Sequence, residues 1–216
     1  MTSGAPGAVR AVTRLLLIRH AETEANATGR TQGRLDLPLT ARGAAQAAAV
    51  AESIAAHAPV AVFASPARRA VETAEAIAMR CGVGVRLDER LLEMDHGDLD
   101  GLTGEELRAA APELLERWRV DPSEVRMPGG ETLQEAQRRM LAAAEAIAAG
   151  YQGQTVAVVS HNLALHALLC RAMAVPLAAM RAFRTDLAST SLVEVGADGL
   201  WTLVSLNVGL AIPGRP

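Results

Sequence analysis

Aromatic side chains are scarce in this chain: its 216 residues include two Trp, two Phe and one Tyr. With few rings to stack bases, and a formal net charge of -3 instead of a basic excess to displace counterions, nucleic acid is not an expected partner. Cysteine is limited to Cys81 and Cys170, both in apolar, helix-like settings with neither a C-x-x-C pair nor metal-ligand spacing. Reduced, buried thiols and a cytoplasmic location are the expectation. No stretch approaches the roughly 18 uninterrupted apolar residues of a membrane span. Residues 1–13 hold Gly, Ala and Pro but no apolar run of signal-peptide length. They read as a flexible tail, and neither secretion nor membrane association is expected.

Aliphatic residues are what the chain has in quantity. Half of it is hydrophobic, enough for one sizeable α/β core in a single domain over residues 14–216. Strand signals at Arg14–Arg19, Val60–Ala64 and Thr155–Ser160 are separated by Ala-rich segments too long to be loops, which is βαβ order. Thr40 as N-cap predicts a helix over Ala41–His57; Ser65 and Pro66, as N-cap and first helical residue, predict another over Ala67–Met79. Thr103 with Glu106 and Thr132 with Glu135 form capping boxes, and the helix opened by the second stops at Gly150. A further apolar helix is expected over Leu163–Met173. Ser191–Val195 and Trp201–Asn207, flanking Gly196-Ala197-Asp198-Gly199, read as a hairpin on a sheet edge. The expected fold is a three-layer α/β/α sandwich whose sheet is mostly parallel with an edge hairpin.

Three strand-to-helix junctions carry polar residues that an ordinary connection does not need. Leu15–Ile18 is an apolar run suited to a strand covered on both faces, and it delivers Arg19 and His20 to the strand's carboxyl end, where ligands of open parallel sheets sit. Arg69 falls in the first turn after Ser65-Pro66, and His161 follows the strand Thr155–Ser160. Right-handed crossovers gather these junctions on one edge, with helix N-termini adding their positive ends. Two arginines and two histidines around one point suit a phosphoryl group, because guanidinium forks match its oxygens and imidazole can attack or donate. A departing alcohol also needs a proton. Glu93, on a loop after Val83–Leu87, is the candidate acid and Asp95 its rival.

These residues, with their neighbours, resemble a known family. Arg19-His20-Ala21-Glu22-Thr23, Asn26, Gly29-Arg30-Thr31-Gln32-Gly33 and Pro38-Leu39-Thr40 are similar to the opening of the histidine phosphatase superfamily, which includes cofactor-dependent phosphoglycerate mutases. Ser65–Ala74, Glu93 through Gly101-Leu102-Thr103, Pro128-Gly129-Gly130-Glu131 and Val158-Val159-Ser160-His161 follow in the family's order, over roughly residues 14–207. The resemblance implies a phosphoglycerate mutase-like fold and a metal-independent, cofactor-free phosphatase acting on a small phosphorylated metabolite. It makes His20 the nucleophile that becomes phosphorylated, Glu93 the proton donor and then base, and Arg19, Arg69 and a protonated His161 the groups that grip the phosphoryl oxygens. Asn26, Gln32 and Gly33 fall where the family contacts phosphate or substrate.

Two positions depart from the family pattern, which has Gly where this chain has Ala21 and Asn162. Ala21 narrows the space beside the phosphate and requires a negative φ. Asn162 tolerates a left-handed backbone and brings an amide within reach of substrate, so it joins the substrate-binding candidates. The stretch after Glu93 favours a phosphatase over its nearest alternative, a phosphoglycerate mutase; a non-catalytic phospho-ligand-binding domain is a second alternative. Sugar phosphates, phosphoglycerate derivatives, phosphoserine and α-ribazole phosphate all stay open as substrates, as does a homodimer. A cap segment of about 101–130, with Arg108, Arg117, Trp118, Arg119 and Arg126, is expected to set specificity. His161 and His166 would face about 140° apart on a helix, which argues against a shared metal. His57 reads as a solvent group at a helix end, His96 as either a mouth residue or packing, Glu22 and Glu24 as loop solvation or orientation, and Glu131 as a mouth residue or a helix-capping charge.

Overall fold

A computed structural model describes residues 12–209. The elements run β1 (Val12–Arg19), α1 (Glu24–Ala27), α2 (Ala41–Ala55), β2 (Ala61–Ala64), α3 (Arg68–Cys81), β3 (Val85–Leu87), α4 (Gly104–Ala110), α5 (Pro112–Val120), α6 (Leu133–Gly150), β4 (Thr155–Ser160), α7 (Asn162–Ala172), β5 (Thr190–Gly196) and β6 (Trp201–Val208). The first strand starts at Val12, two residues before the expected boundary; the rest of the expected tail, 1–11, lies outside the described residues. The sheet order is β3-β2-β4-β1-β5-β6. Its first four strands are parallel, and β5 and β6 close the edge antiparallel, as the hairpin signal predicts.

Strand alternation divides the core into two layers. Leu15, Leu17, Val156 and Val158 pack on α6 and α7 through Met140, Ala144, Ile147, Leu165 and Leu168. Leu16, Ile18, Ala157 and Val159 pack on α2 and α3 through Val50, Ile54, Ala70, Ala74 and Ile77. The result is the α/β/α sandwich. Under the cap helices α4 and α5, a third cluster joins Met94, Leu99, Leu114 and Leu133, with Trp118 packed against it. Both capping boxes form, Thr103 with Glu106 and Thr132 with Glu135, and a third, Thr23 with Asn26, starts the short α1.

Two helix starts differ from expectation. α3 begins at Arg68 after Ala67, so Ser65 is not its N-cap and Pro66 lies before the helix. α7 begins at Asn162, with His161 at the N-cap position.

Register explains why the chemistry gathers. Arg19 pairs with Ser160 across β1 and β4, and Ala64 pairs with Val159 across β2 and β4, so three strands end level. The His20 N–H reaches the Ser160 carbonyl at 3.0 Å and the Ser65 N–H reaches that of Val159 at 3.0 Å. His20, Ser65 and His161 therefore leave the sheet side by side.

Candidate active site

His20 is 3% exposed, and its Nδ1 lies 2.7 Å from the Ala21 carbonyl oxygen. A carbonyl has no proton to give, so Nδ1 carries the hydrogen and Nε2 keeps its lone pair. Burial, followed by the charges of Arg69 and Arg19, holds the imidazole well below the usual histidine range, against a smaller opposing effect of the Ala21 bond. A neutral ring with a free Nε2 is the form that attacks. Ala21 has a negative φ, is fully buried, and donates its N–H to Thr73 Oγ1 at 3.1 Å, so its methyl is accommodated without strain.

Arg19 donates Nη1 to Asn162 Oδ1 at 3.0 Å and to the Thr185 carbonyl at 2.7 Å. These bonds use both Nη1 hydrogens. Nε and Nη2, the side-on fork of the guanidinium, have no hydrogen-bond partner among the described residues, and Nε is buried. Asn162 is thus an orienting partner of Arg19, in helical backbone, and not a left-handed residue. Arg69 is committed differently. It is completely buried, with Nε on His161 Nδ1 at 3.1 Å, Nη1 on the Leu35 carbonyl at 3.0 Å, and Nη2 on those of Gln32 and Gly33 at 3.3 and 2.9 Å. Burial lowers the pKa of both guanidiniums, and Glu93 is the first opposing charge for each.

His161 departs from the protonated state expected of it. Arg69 Nε can only donate, so His161 Nδ1 accepts, and the remaining Nε2–H donates to Ser65 Oγ at 2.7 Å. Burial and then the Arg69 charge hold this ring well below the usual histidine range. It stands against His20 with ring centroids 5.1 Å apart. His161 therefore contributes as a neutral ring that orients Arg69, and the positive charge comes from the arginines.

Glu93, 4% exposed, is seated on the N-terminus of α7. Its Oε1 accepts the N–H groups of Met94 at 2.8 Å and Ala164 at 2.9 Å, and Oε2 accepts that of Leu163 at 3.1 Å. Such a terminus suits a carboxylate, and one remaining lone pair is left on Oε2. Asp95, the rival acid, is instead bound to the Gly97 N–H at 2.9 Å and to Arg34 at 3.3 Å, which ties it to the loop.

Gln32 is buried, accepting from Thr23 Oγ1 at 2.6 Å and donating to the Leu35 carbonyl at 3.2 Å. Asn26 bonds back to Thr23 through Oδ1. Both build the loop that presents the Gln32 and Gly33 carbonyls to Arg69. A Cβ on Gly33 would lie 2.9 Å from the His96 nitrogen and the Met94 oxygen, so this loop and the Glu93 loop approach more closely than any side chain allows. Glu22 is held by Thr40 and Arg42, Glu24 and His57 are exposed, and His96 packs on Gly33. Of the cap residues, Arg119 pairs with Glu116, Arg126 with Glu135, and Trp118 packs inward, so these three are engaged within the protein. His166 lies against Phe183, ring centroids 4.9 Å apart, with Nε2 buried and without a hydrogen-bond partner among the described residues, and its pKa is lowered by burial to about 4. Ser65 and Thr185 take part in ways that the sequence does not signal: Ser65 is marked as a helix cap but accepts from His161, and Thr185 contributes a backbone carbonyl to Arg19.

Known proteins resemble this chain over most of its length. The chain is 35% identical over 182 residues to "Phosphoserine phosphatase 1" of Hydrogenobacter thermophilus, covering 84% of this chain and 86% of the relative. It is 36% identical over 187 residues to "Probable phosphoglycerate mutase GpmB" of Salmonella paratyphi C, covering 82% and 83%. The solved structure of the mycobacterial glucosyl-3-phosphoglycerate phosphatase Rv2419c with VO3 superposes with a TM-score of 0.83 at 32% identity, over 91% of this chain and 99% of that one. The family model for the histidine phosphatase superfamily (branch 1) matches residues 15–209, and the chain belongs to that superfamily.

Proposed function

We propose that this chain is a metal-independent phosphatase that hydrolyses small phosphate monoesters through a phosphohistidine. The observation that carries the reading is the state of His20: its Nδ1–H is bound to a backbone carbonyl, which leaves Nε2 its lone pair, and burial with the charges of Arg69 and Arg19 keeps the ring neutral. In the first step the Nε2 lone pair attacks phosphorus in line, the bond from phosphorus to the ester oxygen breaks, and Glu93 gives that oxygen a proton from Oε2. In the second, Glu93 takes a proton from water as the water oxygen attacks phosphorus. The N–P bond breaks, and inorganic phosphate and neutral His20 result. The Arg19 fork meets the equatorial oxygens, while Arg69 adds its charge and one remaining Nη1 hydrogen; such fixed charge, already in place, is what a transferring phosphoryl group requires.

Relatives named for phosphoserine and glucosyl-3-phosphoglycerate phosphatases support hydrolysis of a polar metabolite ester. The relative named as a probable phosphoglycerate mutase supports the second reading, return of the phosphoryl group to another hydroxyl. One experiment separates them. Rapid quench into alkali during turnover of a panel of phosphate monoesters, including 2- and 3-phosphoglycerate, measures the acid-labile phosphoenzyme, inorganic phosphate and isomerised ester together. The phosphatase reading expects phosphoenzyme and stoichiometric phosphate, both absent in His20→Ala. An adduct that persists in His20→Ala would refute the nucleophile, and isomer without phosphate would establish the mutase.

A further inference from the structure

The loop that carries Glu93 is gripped from outside by two residues that no step above uses. Arg139, on α6, and Glu131, just before it, have side chains 20% and 14% exposed. They form a bidentate pair, Nε to Oε1 at 3.0 Å and Nη2 to Oε2 at 3.1 Å. The same guanidinium donates Nη1 to the carbonyls of Arg90, at 2.9 Å, and Leu92, and Nη2 to the carbonyl of Glu93 at 2.9 Å. All five of its N–H groups are thereby committed within the protein, so it has none left for a substrate. Glu131 completes the grip on the far side: its Oε2 accepts the Asp95 N–H at 3.1 Å, and its own N–H donates to the Asp95 carbonyl at 3.1 Å. The main chain is held at residues 90, 92, 93 and 95, on both flanks of the acid.

We propose that Arg139 and Glu131 act as one positioning unit for the acid, fixing the main chain at Glu93 so that its carboxyl oxygen meets the leaving oxygen of the ester. This rests on the reading of Glu93 as proton donor. A purely structural brace would lower all activity alike. A unit that aims the acid is needed only where the leaving group cannot depart without a proton: an alkyl alcohol needs one, and nitrophenolate departs as an anion. A guanidinium that spans one carboxylate and three carbonyls cannot be replaced by an ammonium, whose three donors radiate from a single atom.

The test is single-turnover release of alcohol from glycerol phosphate and of nitrophenol from para-nitrophenyl phosphate by the full chain carrying Arg139→Lys, Arg139→Met or Glu131→Gln. Glu93→Gln is run beside them, and vanadate inhibition serves as a gauge of the phosphate pocket. A misplacement of about 1 Å costs on the order of 10²-fold. The Arg139 variants should lose about that on glycerol phosphate and far less on the nitrophenyl ester, with vanadate inhibition unchanged. Glu131→Gln, which preserves side-chain size, should show the same bias and serves where Arg139→Met does not fold. Equal losses on both esters in the Arg139 and Glu131 variants, while Glu93→Gln discriminates between the esters, would overturn the positioning role alone. Equal losses in Glu93→Gln itself would overturn the acid, and the positioning role with it.

Discussion

Deleting one oxygen, in Ser65→Ala, should cost more stability than the size of the change suggests. Ser65 is completely buried, and its Oγ accepts His161 Nε2–H at 2.7 Å and the Ala67 N–H at 3.3 Å. His161 cannot turn to find another acceptor, because its Nδ1 is fixed by Arg69 and the ring is fully enclosed. A typical buried hydrogen bond contributes about 1 kcal/mol net, whereas stranding a buried donor costs about 1–3 kcal/mol. With the His161 N–H stranded and the long Ala67 contact adding little, the expected loss is about 2 kcal/mol, or about 4–8 °C in Tm for a domain of this length. Urea unfolding of Ser65→Ala, His161→Ala and the double variant gives the coupling directly. Residues in direct contact should show an interaction energy of at least about 0.5 kcal/mol. A loss below about 0.3 kcal/mol, additive with His161→Ala, would refute the tautomer assigned here and the orientation of Arg69 that depends on it.

Two further outcomes follow from the same groups. His20 and His161 are held neutral chiefly by burial, as is His166, with a folded pKa of about 4, so between about pH 6.5 and about 4 the unfolded chain binds protons that the folded one does not. Stability should therefore fall on acidification, by up to about 1.4 kcal/mol per pH unit for each histidine. Urea midpoints between pH 7 and 5 read this slope, His166→Phe should flatten it, and a level wild-type profile would contradict the burial argument. Since the positive charge at the pocket comes from Arg19 and Arg69, turnover should survive EDTA dialysis, and vanadate should inhibit as a mimic of five-coordinate phosphorus. Activity lost to the chelator and restored by a divalent ion would sink the arginine fork.

The parts of this molecule that could be read from its sequence are those whose signal is local. Leu15–Ile18 and Val156–Val159 are apolar because both faces of β1 and β4 are covered, and the register of those strands places Arg19, His20 and His161 together. Ser65 misled for the same reason. Ser-Pro is a strong cap signal at short range, but the hydroxyl's partner is a ring 96 positions away. The charge of His161 was similarly beyond reach: a histidine beside an anion pocket is expected protonated, and only the incoming Arg69 N–H shows that it accepts. Arg139 resembles any solvated arginine of an Ala-rich helix, since its acceptors lie 46 to 49 residues earlier in a loop of no fixed period. Glu131 reads from the sequence as a mouth or capping charge, and in the structure its carboxylate is shared between Arg139 and the Asp95 N–H.

Arg69 and Arg139 share a habit with a practical consequence: most of what they hold is carbonyl oxygen, at Gln32, Gly33 and Leu35 for one and at Arg90, Leu92 and Glu93 for the other. A carbonyl is supplied equally by any residue. Side chains on these two loops that make no bond of their own can therefore be exchanged without untying them, provided that Gln32 keeps its bonds to Thr23 and Leu35, Gly33 stays small and Glu93 keeps its carboxyl. A library of side chains at Leu35 and Leu92 would leave in place the carbonyls that Arg69 and Arg139 hold, and with them the nucleophile's and the acid's surroundings.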